Sequence, residues 1–166
     1  MRKIVWAVDA FEESNKLQAN MGRALRSLVA GSKATVEPVY VLSPDQLNLP
    51  FEFGAPWVRI YEKPARLQLQ QKLKSFDREA HGLMKKPKIL VQNSPSLSQS
   101  VESVVKYAKK QHADLLAVGT HGRKGVSRML MGSFAESLLV HAHGIPMLIV
   151  NPNVQIPEKF KTILFA

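Results

Sequence analysis

Residues 114–118, DLLAV, run directly into 119–133, GTHGRKGVSRMLMGS; an amphipathic stretch over 133–143 and the apolar run IPMLIV at 145–150 follow. The two apolar runs are short and nearly continuous, as strands buried on both faces are. A glycine-bearing loop and a helix separate them, so the unit reads as strand–loop–helix–strand and predicts a parallel pair. The same alternation extends outward to the N-terminus. KIVWAV at 3–8 reads as a buried strand. Leu17, Met21, Ala24, Leu25 and Leu28 keep helical spacing within 12–30, and Gly31 supplies a stop. TVEPVYVL at 35–42 is a second strand, with a bulge or late start expected at Pro38.

Residues 43–60 carry Pro44, Pro50, Gly54 and Pro56 and read as an irregular excursion. Ala65, Leu69, Leu73, Phe76, Ala80 and Leu83 then mark a helix from Tyr61 to about Met84. KILVQ at 88–92 is a third strand. Leu97, Val101, Val104, Val105 and Ala108 mark a helix whose last turn holds Lys109 and Lys110, cations suited to its negative end. The predicted fold is a three-layer, doubly wound α/β sheet of five parallel strands with right-handed crossovers. In such sheets ligands sit outside the carboxyl ends of the strands, where the winding reverses. The loops after Val8 and Val118 suit that role.

At 166 residues and 18.5 kDa the chain is sized for one domain with a short appendage. No run approaches the ~20 apolar residues of a membrane span, and no apolar signal core opens the chain. Cytoplasmic residence is the expectation. Cysteine is absent, which excludes disulfides, a thiol nucleophile and a thiolate zinc site. The net charge of +10 is concentrated in residues 59–110, which hold twelve basic and four acidic side chains. A solvated lysine-rich helix face accounts for most such segments, although phosphate-rich partners are attracted to them too.

Chemistry concentrates in the loop. Gly119 and Gly122 allow close approach of a ligand to the backbone. Gly132 and Ser133 place free N–H groups and a hydroxyl at a helix N-terminus, and Arg123, Lys124 and Arg128 add positive charge, so the loop reads as a phosphate cradle. Elsewhere the signals are weaker. His141 and His143 diverge by about 200° on a helix and cannot chelate one ion together. No metal motif and no Gly-x-Ser-x-Gly elbow occurs. Trp6 reads as core. Trp57 and Tyr61 could stack on bases, but no RNA-binding signature accompanies them, so nucleic acid is not the expected partner.

The spacing G-x2-G-x9-G-S, at Gly119, Gly122, Gly132 and Ser133, resembles the nucleotide-binding motif of the universal stress protein family. Residues 113–123 are similar to its ADLIVxGTHGR segment, 129–133 to LLLGS, 145–150 to xPVLVV and 3–9 to KILVAVD. The resemblance covers residues 1–151 and implies a Rossmann-like domain, related to the adenine nucleotide alpha hydrolases, that binds ATP or a related adenine nucleotide with Mg. By the same resemblance Asp9 would meet the ribose or the metal–phosphate region, Val41 the adenine and Gly119 the ribose. Gly122, Arg123, Gly132, Ser133 and the Phe134 N–H would hold phosphates. Phe11 stands where the family carries a serine, which implies a narrower pocket or a lost hydroxyl contact. The family also pairs through its last strand, which implies a homodimer or an intramolecular pair through residues 146–150.

Three functions follow as alternatives: a nucleotide-dependent stress-response module, a slow ATP hydrolase with Asp9 as its carboxylate, or a non-enzymatic basic module for nucleic acid or an acidic partner. Residues 152–166 read as a linker followed by a possible first strand of a second domain, because ILFA at 163–166 matches IVWA at 4–7 in kind.

Overall fold

The computed structural model describes residues 2–11, 14–44, 47, 57–79, 83–120 and 134–157. Among these residues five strands and four helices alternate: β1 (Lys3–Ala7), α1 (Asn15–Val29), β2 (Thr35–Leu42), α2 (Trp57–Glu79), β3 (Lys88–Val91), α3 (Leu97–Lys110), β4 (Leu115–Gly119), α4 (Phe134–His141) and β5 (Met147–Val150). The strands form one sheet in the order β3-β2-β1-β4-β5, and every pair is parallel. This is the doubly wound α/β architecture expected. The chain travels one way from β1 to β3 and the other from β4 to β5, so the winding reverses between β1 and β4.

Strand periodicity divides the core in two. Ile4 and Trp6 of β1 point into the layer holding Met21 and Leu25 of α1 and Leu69, Leu73 and Phe76 of α2. Val5 and Ala7 point the other way, into Val101, Val104 and Val105 of α3 and Leu138 of α4. Both faces of the sheet are therefore covered, which explains why its strands are continuously apolar rather than alternating.

Three elements differ from expectation. β2 contains no bulge at Pro38, which lies in register with Trp6. Val36 donates its N–H to Leu83 and accepts from Lys85, so even-numbered residues of β2 face the β3 side. β3 pairs only from Val39 onward, and the one bridge before it is at Val36. The missing N–H of Pro38 thus falls in a gap of the ladder, where no bond is lost. α1 begins later than predicted, at Asn15, because Ser14 caps it by accepting from the Leu17 N–H. α2 begins earlier, at Trp57, and carries Pro64 within it. Trp57 is 2% exposed and belongs to the core, so it offers no stacking platform for bases.

Residues 151–157 lie along α1. The side-chain amide of Asn20 donates to the carbonyls of Asn151 (3.1 Å) and Val154 (2.9 Å), and Ser27 donates to Pro157. Ile156 packs against the α1–α2 core layer. The segment 158–166, with its resemblance to a first strand, lies outside the described residues. No helix among the described residues is long and apolar enough to cross a membrane.

Candidate functional site

A cleft of about 170 Å3 opens at the carboxyl ends of β1, β2 and β4, where the winding reverses. Its walls are Val39 and Val41 from β2, Val118 and Gly119 from β4, and Leu17, Gln18 and Met21 from α1, with Val104 of α3 and Phe134 of α4 closing it. Asp9, two residues beyond β1, is the one charged residue lining it among those described. Of the eight residues singled out, Asp9, Val41, Gly119 and Phe134 meet in this cleft. Gly122, Arg123, Gly132 and Ser133 lie outside the described residues.

Each of the four is positioned by its element. Asp9 follows the last pairing of β1, where Val8 donates to Val39, and its Oδ1 accepts the Phe11 N–H at 2.8 Å. This short Asx turn fixes the carboxylate at the rim. Val41 pairs with Leu90 and presents its edge from inside the sheet. Phe134 is the first residue of α4, at the positive end of that helix. Gly119 ends β4 in register with Val150. A Cβ there would come within 3.1–3.3 Å of the Leu17 side chain, so any larger residue would oblige Leu17 of α1 to shift by a few tenths of an ångström.

Phe11 is not among the residues lining the cleft. It is 39% exposed and meets the Tyr40 ring edge-on, with centroids 6.1 Å apart. Two further residues with polar groups line the site without any signal in the sequence. Thr120 donates its N–H to Val150, which ties the start of the loop to β5. Tyr40 is buried, and its hydroxyl has no hydrogen-bond partner among the described residues. Burial pushes its pKa up, and the nearby negative charge of Asp9 pushes it further, so the phenol stays protonated.

The cleft can do three things chemically. Its apolar walls suit a flat, weakly polar ring; the Asp9 carboxylate accepts hydrogen bonds from hydroxyls; and the α4 N-terminus favours an anion. Among the described residues no group of three metal-binding side chains occurs. Among the described residues lining the cleft, Asp9 is the one carboxylate, the side-chain type suited to a metal ion carried in with a ligand's phosphates.

A parallel five-stranded sheet with a cleft at its switch point defines the doubly wound α/β class of protein, in which ligands sit outside the carboxyl ends of the strands. The chain belongs to the universal stress protein family, whose model matches residues 1–151. It is 30% identical over 132 residues to a universal stress protein A homolog of Coxiella burnetii, covering 78% of this chain and 85% of that one. A universal stress protein of Methanocaldococcus jannaschii is 45% identical over 47 residues, a stretch spanning 28% of this chain and 27% of the relative. Among solved structures, the fold is similar to a universal stress protein of Archaeoglobus fulgidus (TM-score 0.59, 18% identity, 90% of this chain and 98% of that one). It is also similar to a universal stress protein in complex with cAMP (TM-score 0.54, 18% identity, 92% and 98%). A family member from Arabidopsis thaliana with AMP bound gives TM-score 0.55 at 13% identity, over 92% and 93%.

Proposed function

We propose that the cleft binds an adenine nucleotide and that the protein acts as a nucleotide-dependent module of the stress response. The observation carrying this reading is the meeting of Asp9, Val41, Gly119 and Phe134 at the switch point. The binding of cAMP and AMP by proteins of the same fold supports it. The adenine lies against Val41, the ribose hydroxyls donate to Asp9, and the phosphates extend toward the α4 N-terminus. Gly122, Arg123, Gly132 and Ser133 hold the phosphates in this reading, and Mg accompanies a triphosphate. Titration calorimetry with AMP and with Mg·ATP should give one saturable site per chain. Asp9→Ala should weaken binding about tenfold or more, the usual effect of losing a hydrogen bond to a charged group. A folded protein that gives neither heat nor a thermal shift at millimolar nucleotide would overturn the reading.

We also propose that the outer edge of β5, unpaired among the described residues, is the association surface. β5 is a terminal strand of the sheet, and Ile149 on it is 41% exposed. An unpaired strand edge with apolar side chains favours pairing with a second copy. Light scattering should report twice the 18.5 kDa chain mass, and Ile149→Lys should return the mass to one chain. An unaltered dimer in that variant would move the interface elsewhere.

A further inference from the structure

The helix α2 buries Ala65, Leu69, Leu73 and Phe76 against the core. At about 100° per residue these four share one side of the helix, and Ile60 and Leu67 fall almost directly opposite. Ile60 is 56% exposed and Leu67 49%. Two large apolar side chains therefore stand on the outermost line of the helix, about two turns apart. A single exposed leucine is ordinary on a protein surface. What marks this pair is the charge beside it.

Arg59, Lys63 and Lys74 are exposed and lie within about 60° of one another on the adjoining flank of the helix. Among the described residues none of the three makes an ion pair or a hydrogen bond. Between Arg59 and Lys74 the sequence holds one acid, Glu62, and its Oε1 is 3.1 Å from Arg66 Nη2. The positive charge on this flank is thus uncompensated, and it runs beside the apolar pair over about 22 Å of helix. It belongs to the segment that concentrates the net charge of +10.

We propose that this outer face of α2 docks the protein on an anionic lipid surface. Arg59, Lys63 and Lys74 lie among the headgroups, and Ile60 and Leu67 enter the boundary with the acyl chains. Charge complementarity sets the sign of the partner, and shape favours a membrane. The apolar pair stands on the crest of a helix. A crest offers an acidic peptide no pocket for its side chains, whereas a lipid layer yields around it. Flexible lysine and arginine stems keep their charges at headgroup level while the apolar neighbours insert. A few cations and two partly inserted side chains give reversible docking, far short of permanent anchoring. None of these five residues lines the cleft at the switch point, so docking and nucleotide binding are separately testable.

The test is co-sedimentation of the full chain with vesicles made of equal parts phosphatidylcholine and phosphatidylserine, against vesicles of phosphatidylcholine alone. Partition onto the anionic vesicles should be about tenfold or more the stronger, and it should fall as salt is added. The double variant Lys63→Gln, Lys74→Gln should lose about tenfold or more of that partition. Leu67→Gln should lose about fivefold, the effect of withdrawing one partly inserted side chain. All three side chains are exposed, so both variants should keep the thermal midpoint of the parent, which separates lost docking from lost folding. No sedimentation with the anionic vesicles at millimolar lipid, equal binding to phosphatidylcholine alone, or a double variant that binds like the parent would each overturn the proposal. Undiminished vesicle binding by Leu67→Gln would overturn it too, because a contact made by charge alone fits an acidic protein as well as a membrane.

Discussion

Asn20→Ala should destabilise the protein by about 2–3 kcal/mol, the combined loss of buried hydrogen bonds and side-chain volume. Asn20 sits inside α1, is 1% exposed, and uses both ends of its amide. Its nitrogen donates to Asn151 and Val154, and its oxygen accepts from Arg23. Alanine leaves two carbonyls and one guanidinium without these partners and detaches residues 151–157 from the helix. For a domain of this size the midpoint of thermal unfolding should fall by roughly 5–10 °C. Asn20→Asp is the discriminating companion. It keeps the volume but turns acceptor oxygens toward two carbonyls, so it should match or exceed the alanine loss at neutral pH and recover part of it in acid. Limited proteolysis should cut at 151–157 sooner in both variants. A thermal midpoint unchanged in Asn20→Ala would show that Ser27 and Ile156 suffice to hold the segment.

That segment illustrates what sequence patterning reaches. Residues 152–157 contain two prolines and polar side chains, and their composition alone matches a free connector. Their attachment rests on Asn20 and Ser27, about 130 positions earlier, and on Ile156, and a lone polar residue in a helix carries no mark of its distant partner. Asp114 behaves alike: its Oδ2 accepts the N–H groups of Arg2 (2.6 Å) and Lys3 (2.9 Å), and these bonds hold its carboxyl below the usual range. In the sequence it is only a charge before a strand.

The strands were legible because both faces of this sheet are buried, which leaves an unbroken apolar run at each one. The start of α3 was legible at Ser96, whose hydroxyl accepts from Gln99, but the start of α1 was not, although Ser14 caps it in the same way. The start of α2 was misjudged too, where the prolines before Trp57 hid the first turn. Pro38 misled for a subtler reason. Whether a proline harms a strand depends on which neighbour its nitrogen faces and where that neighbour begins, and only the folded ladder fixes both. Asp9, Val41, Gly119 and Phe134, singled out from the sequence, all line the described part of the cleft. Its other walls, from Leu17 and Val104, come from helix faces that look like ordinary core.

Lys3→Met tests the polar cluster at the opposite end of the sheet from the cleft. Lys3 opens β1 with its Nζ 2.8 Å from Glu37 Oε2, and the Tyr107 hydroxyl donates to Glu37 Oε1 at 2.7 Å. Burial raises the pKa of the Glu37 carboxyl. The hydrogen bonds from Lys3 and Tyr107, with the charges of Lys3 and Lys85, outweigh that and hold it below its ordinary value of 4.5. A carboxyl whose pKa is lowered by folding contributes fully above its unfolded value. The contribution is lost as pH falls through the folded value, so it disappears in the window below 4.5. Methionine keeps the length of the stem but removes the cation, leaving a partly buried carboxylate with a weaker set of partners. The expected loss at pH 7 is about 1–3 kcal/mol, less than for a fully buried pair because water reaches both groups. Tyr107→Phe removes a neutral donor and should lose only about 0.5–1.5 kcal/mol. Urea unfolding of the wild type and both variants at pH 7, 5, 4 and 3 measures the gaps. The Lys3→Met gap should close as pH drops below 4.5, because a protonated Glu37 no longer needs the ammonium. A gap that stays constant across that range would place the contribution of Lys3 in its packing and its bond to Gln111, and not in the charge of Glu37.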